Sequence, residues 1–188
     1  MTPSQTTTIR IYRPDSEPGP ELSWLAPNPT SLAGLRIAVL DNGKPNASLV
    51  MERAADSLAA RVSATKSLVI KKGPNGRSAN AAIPCAADVF ARVIAESDLV
   101  ITGTADCGSC TAYSVYDAIE LEKAGHPAVV VTTTKFEPIA RTMATDFGLT
   151  DVRVLVLAHP IGGTPGDTLY EWADESVDRL ISLYTKGR

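Results

Sequence analysis

Apolar and polar positions follow two rhythms along this chain, and the switches between them mark out the elements. Leu35-Arg-Ile-Ala-Val-Leu-Asp41, Ser67-Leu-Val-Ile-Lys71, Leu99-Val-Ile-Thr-Gly103, Pro127-Ala-Val-Val-Val-Thr-Thr-Thr134 and Val152-Arg-Val-Leu-Val-Leu-Ala158 are short, largely apolar runs. Such runs, rich in β-branched residues, read as buried strands. Residues 47–62, 86–96, 110–123, 136–147 and 168–184 instead carry apolar residues at helical spacing. The punctuation agrees. Asn42-Gly-Lys-Pro-Asn46 and Gly73-Pro-Asn-Gly76 are turns, Pro84 stands where a first helical turn tolerates it, and Gly148 is placed to end a helix.

Strand and helix alternate five times, which predicts a parallel sheet covered on both faces. With right-handed crossovers the fold class is α/β, a three-layer, doubly wound, five-stranded parallel sheet with flavodoxin-like strand order. At 188 residues the chain suits one domain with a good core. Residues 1–33 do not share the rhythm; they hold Pro3, Pro14, Pro18, Pro20, Pro27 and Pro29. Only Thr8-Ile-Arg-Ile-Tyr12 alternates, as an edge strand or an arm laid on another subunit would, and Trp24 and Leu25 could pin the segment to the core. The division is therefore an extended proline-rich arm, 1–33, and a single α/β domain, 34–188. An arm with so few core-forming groups implies a homo-oligomer or a pairing with a second subunit.

A hydrophobic content of 44% with 21% charged residues is that of a soluble globular protein. The net charge of -3 gives no electrostatic case for nucleic acid or an anionic membrane as a partner. No apolar run approaches the roughly 20 residues that span a bilayer, and no basic-then-apolar leader opens the chain. Three cysteines make no disulfide framework. A cytoplasmic protein is expected, in which a Cys-x-x-Cys pair is redox-active, catalytic or metal-binding.

In a doubly wound sheet the site lies outside the carboxyl ends of the strands, and those ends collect the reactive groups. The first strand brings Asp41, Asn42, Lys44 and Asn46; the third brings Asp106, Cys107, Ser109, Cys110 and Thr111; the fourth brings Thr133, Thr134 and Lys135; the fifth brings His159 and Pro160. Cys107 and Cys110 fall at a strand-to-helix turn, where free N–H groups and the helix dipole favour a thiolate. Asp106 could serve only to accept turn hydrogen bonds or could shuttle a proton, and His159 is a natural base for a cysteine. Asn42, Lys44, Asn46, Ser109, Thr111 and Thr134 are candidate substrate contacts. Asn42 and Asn46 are also ordinary turn residues, and Thr111 and Thr134 ordinary helix caps. His126 falls at the opposite rim, and Cys85 reads as a small buried apolar residue. Gly162-Gly-Thr-Pro-Gly166 lacks the spacing of either phosphate-binding glycine motif. It reads as a flexible loop over the site, and no cofactor is expected.

Leu40-Asp-Asn-Gly-Lys-Pro-Asn-Ala47, Asp106-Cys-Gly-Ser-Cys-Thr111 and His159-Pro160 together resemble the UGSC family of (seleno)proteins, over roughly residues 35 to 165 and without the arm. In its selenocysteine members Sec occupies the first position of U-G-S-C, where this chain has Cys107. The resemblance implies that Cys107 is the reactive chalcogen position, Cys110 its partner, and the role thiol-redox. Ser109-Cys-Thr111 also looks like the Gly-Cys-Thr turn of the aspartate/glutamate racemase superfamily. That family has two flavodoxin-like halves; this chain has the length of one and no Cys-Asn-Thr after its first strand.

The leading expectation is a thiol-dependent oxidoreductase acting on a small molecule, with Cys107 as reactive thiolate and Cys110 resolving it through a disulfide. A lyase, hydratase or isomerase using cysteine for proton transfer or addition is the alternative. A third reading is a metal or iron–sulfur subunit built on Cys85, Cys107 and Cys110, with His159 available as a fourth ligand. From another class comes a non-catalytic subunit that binds a partner through its arm.

Overall fold

Five strands, β1 (Arg36–Asp41), β2 (Thr65–Lys71), β3 (Leu99–Ala105), β4 (Ala128–Thr133) and β5 (Arg153–Leu157), build the sheet of the computed structural model, which describes residues 25–186. They pair in parallel in the order β2-β1-β3-β4-β5, the flavodoxin-like order, with its switch point between β1 and β3. The helices are α1 (Ala47–Val62), α2 (Ala87–Glu96), α3 (Gly108–Lys123), α4 (Glu137–Asp146), α5 (Gly166–Glu175) and α6 (Val177–Lys186).

Alternation along each strand divides the interior into two cores. Ile37, Val39, Leu99, Ile101, Val129, Val131, Leu155 and Leu157 pack with α1, α5 and α6. Ala38, Leu40, Val100, Val130 and Val154 pack with α2, α3 and α4 on the other face. The central strands are buried on both sides, whereas edge strand β2 leaves Val69 40% exposed.

One expectation is corrected. The helix expected over residues 168–184 is two helices meeting at Ser176, whose hydroxyl bonds the Ala173 carbonyl at 2.7 Å and competes with the regular ladder. Its second part is pinned by the buried Tyr184 hydroxyl, which donates to the Val100 carbonyl at 2.7 Å. The last residues of the arm, 25–33, lie on their own domain. Ala26 N–H donates to Glu122 Oε2 at 2.7 Å, and its carbonyl accepts from Arg153 Nη2 at 2.9 Å. Glu122 and Arg153 form a fully buried ion pair, and a buried pair is tolerable only when its remaining hydrogen-bonding capacity is met. Ala26 and Asn28 meet it from the arm. Thr8–Tyr12 and Trp24 lie outside the described residues.

Candidate functional site

All five strands run the same way, so their carboxyl ends form one rim and bring the β1, β3, β4 and β5 residues together there. The β3 end is irregular. Gly103 has φ +138°, and a Cβ there would stand 2.8 Å from the Val131 carbonyl oxygen, so glycine is required. The pairing register with β4 shifts between Gly103 and Ala105, and the peptides Gly103–Thr104 and His159–Pro160 are cis.

Helix α3 begins two residues earlier than expected, at Gly108, so Cys107 takes the N-cap position in extended conformation. Cys110 falls in the first turn, its Cα 5.5 Å from that of Cys107, and the two sulfurs are in bonding contact. Cys107 is half-buried and Cys110 fully buried. The Cys107 carbonyl accepts from Thr111 N–H at 3.0 Å and from the Thr111 hydroxyl at 2.5 Å, which fixes the turn. Thr111 is itself buried, so it shapes the turn, while Ser109 is exposed beside it.

Asp106 gathers four groups. Its Oδ1 accepts from the Thr133 hydroxyl at 3.1 Å and lies 2.8 Å from His159 Nδ1. Its Oδ2 accepts from the backbone N–H groups of Ile161 and Gly162, each at 3.2 Å. A carboxylate can only accept, so the proton belongs on His159 Nδ1 and Nε2 is the nitrogen left free to accept. Thr133, at the end of β4, completes this network at 3.1 Å from His159 Nδ1. Sequence reasoning placed it on the rim without a role. Thr134 is exposed, its N–H bonded to the Leu157 carbonyl at 2.9 Å. The rings of Phe136 and His159 lie 5.8 Å apart.

The two asparagines of the β1 turn tie it to the elements around it. Asn42 is buried and donates to the Thr104 carbonyl at 2.9 Å and the Ser114 hydroxyl at 3.2 Å, joining β1 to β3 and α3. Asn46, in left-handed conformation, donates to the Ile161 and Thr164 carbonyls, both at 3.0 Å. Lys44 is half-buried on the same turn and Lys135 exposed on the β4 side, so both bring positive charge to the rim.

Cys85 stands apart from the pair. Its N–H donates to Asp117 Oδ1 at 2.8 Å, and Asp117 is ion-paired with Lys72, both side chains buried. Burial pushes the Cys85 thiol up to about 12. Among the described residues no three His, Cys, Asp or Glu side chains gather to hold a metal. The expected ligand trio Cys85, Cys107 and Cys110 is therefore not assembled, because Cys85 is held by the Lys72–Asp117 pair while the other two face each other. His126 is half-buried, and burial lowers its pKa. No described helix is long and apolar enough to cross a membrane.

The model of the UGSC family matches residues 10–186, and the chain belongs to that family. The match includes much of the proline-rich arm, which the motif resemblance alone left out. No curated protein matches the chain. Among solved structures it is similar to the sugar isomerase domain of an RpiR transcription factor from Sphaerobacter thermophilus, at 17% identity over 81% of this chain and 75% of that one, TM-score 0.41. It is also similar to the lactose-specific IIB component domain of the phosphoenolpyruvate:carbohydrate phosphotransferase system from Streptococcus pneumoniae, at 10% identity over 80% of this chain and 98% of that one, TM-score 0.31.

Proposed function

We propose that this UGSC-family chain is a thiol-dependent oxidoreductase acting on a small disulfide, with Cys107 as attacking thiolate and Cys110 as resolving thiol. The observation that carries the reading is the pairing of Cys107 and Cys110 in bonding contact at the start of α3, on the rim where doubly wound sheets bind ligands. Exposure orders the two roles. A sulfur that meets a substrate must be reachable, and Cys107 is half-buried while Cys110 is enclosed.

The Cys107 thiolate attacks one sulfur of the substrate disulfide, forming a mixed disulfide and expelling one thiolate. The Cys110 thiolate then attacks Cys107 Sγ, forming the internal disulfide and expelling the second thiolate. The substrate gains two electrons and the protein dithiol loses them; two molecules of a small thiol reset the enzyme and leave as their own disulfide. The N-terminus of a 16-residue helix favours the Cys107 anion. His159, with its Nδ1 proton directed to Asp106 and Thr133, offers Nε2 to carry protons to and from the departing thiols.

The same Asp106–His159–Thr133 network favours a second reading, in which the cysteines add to, or move a proton on, a small acid, as in a lyase, hydratase or isomerase. One experiment separates them. Cys110→Ser, reduced and exposed to a small disulfide, should accumulate a stable mixed disulfide on Cys107 by intact mass, and Cys107→Ser should accumulate none. Absence of the adduct on Cys110→Ser would remove the redox reading.

A further inference from the structure

The glycine-rich segment after β5 is held by the two turns that flank the site. From the β3–α3 turn, Asp106 Oδ2 accepts from the Ile161 and Gly162 N–H groups, each at 3.2 Å. From the β1–α1 turn, the Asn46 carboxamide donates one hydrogen to the Ile161 carbonyl and the other to the Thr164 carbonyl, both at 3.0 Å. Thr164 closes the segment on itself, its hydroxyl donating to the Pro160 carbonyl at 2.5 Å. A Cβ on Gly162 would sit 3.9 Å from both Asp106 Oδ2 and Pro45 Cβ, so the segment runs between the two turns.

Asn46 has the form of a clamp. It precedes α1, yet its side chain makes no cap bond to that helix, the usual use of an asparagine at this position. Its left-handed backbone, φ 63°, is a conformation asparagine tolerates better than most residues. Ile161 is fully buried in the core and roots the segment, whereas Gly163 is exposed, with φ +84°. A rooted base and an open glycine tip leave Asn46 and Asp106 to decide where the tip rests.

We infer that Asn46 is a positioning residue whose carboxamide clamps the 160–164 loop across the approach to Cys107, so that small reagents reach the sulfur and bulky ones are held off. The inference rests on the reading of Cys107 as the reactive centre. It gives the Lys-Pro-Asn turn and the glycine-rich loop a joint role, as the selectivity gate of the site.

The test uses Asn46→Gly, which keeps the left-handed backbone free of strain while deleting both donors. Asn46→Asp is its companion, placing an acceptor against two carbonyl oxygens. In the reduced full-length protein, hydrogen exchange at residues 161–164 should rise about tenfold in Asn46→Gly, the effect of losing two neutral hydrogen bonds. The rate of Cys107 alkylation by a bulky maleimide, divided by that by iodoacetamide, should rise by a similar factor, with at least as large a change in Asn46→Asp. A merely structural asparagine would change both alkylation rates together and leave that ratio alone. Unchanged exchange at 161–164 overturns the clamp, and raised exchange with an unchanged ratio overturns the gate. A Cys107 that resists both reagents in the parent protein overturns the gate and the proposed function, while exchange at 161–164 still decides the clamp.

Discussion

Asp117→Ala probes the buried architecture beneath the site. Lys72 and Asp117 side chains are only 1% and 2% exposed, and Asp117 Oδ1 also accepts the Cys85 N–H at 2.8 Å. Truncation leaves a buried ammonium and a backbone donor without partners. Breaking a buried pair by removing one member costs about 3–5 kcal/mol, a large share of the roughly 5–15 kcal/mol that holds a domain folded. At about 2–4 °C per kcal/mol for a domain of this size, the midpoint should fall by roughly 6–20 °C. Lys72→Met combined with Asp117→Leu removes both charges and should recover most of the loss, since apolar replacements of a buried pair are often neutral. The assay is thermal unfolding of the three proteins, followed by circular dichroism at several scan rates. A loss under about 2 °C for Asp117→Ala would refute the reasoning, because Lys72 would then have reached water.

Two further outcomes follow from the same physical terms. Cys85 should resist iodoacetamide at pH 7–8 while the protein is folded and react only above about pH 11 or on unfolding, because burial pushes its thiol up to about 12 and only the thiolate reacts; peptide mapping of the alkylated protein checks this. Gly103→Ala should destabilise by more than about 1 kcal/mol in urea unfolding, since φ +138° and the Val131 carbonyl oxygen 2.8 Å from the new Cβ both oppose a side chain.

The features legible in the sequence were those that repeat. Apolar runs located every described strand, and the switch to helical spacing located α1 through α4 to within about two residues. Parallel alternation then required Asn42, Cys107, Thr134 and His159 to share a rim. Features that depend on partners distant in the chain were not legible. Asn42 resembles an exposed turn residue until its carboxamide is seen bridging to Thr104 and Ser114, 62 and 72 residues away. Lys72, Asp117, Glu122 and Arg153 look like surface charges, because nothing local says that each has a buried opposite. Asp106 reads either as an acceptor of turn hydrogen bonds or as a proton shuttle, and its two loop N–H partners, 55 and 56 residues on, cannot be named from its own turn. The break at Ser176 is carried by one hydroxyl in an otherwise continuous helical pattern.

The central claim is that Cys107 and Cys110 are a redox couple. Equilibrating the reduced protein in a graded series of reduced and oxidised glutathione, quenching with acid and mapping peptides by mass spectrometry measures it directly. The expected result is reversible loss of two hydrogens from the peptide containing Cys107 and Cys110, with Cys85 remaining a free thiol throughout. A peptide that stays fully reduced across the series, or that carries glutathione on Cys107 without ever closing the bond to Cys110, would contradict the account.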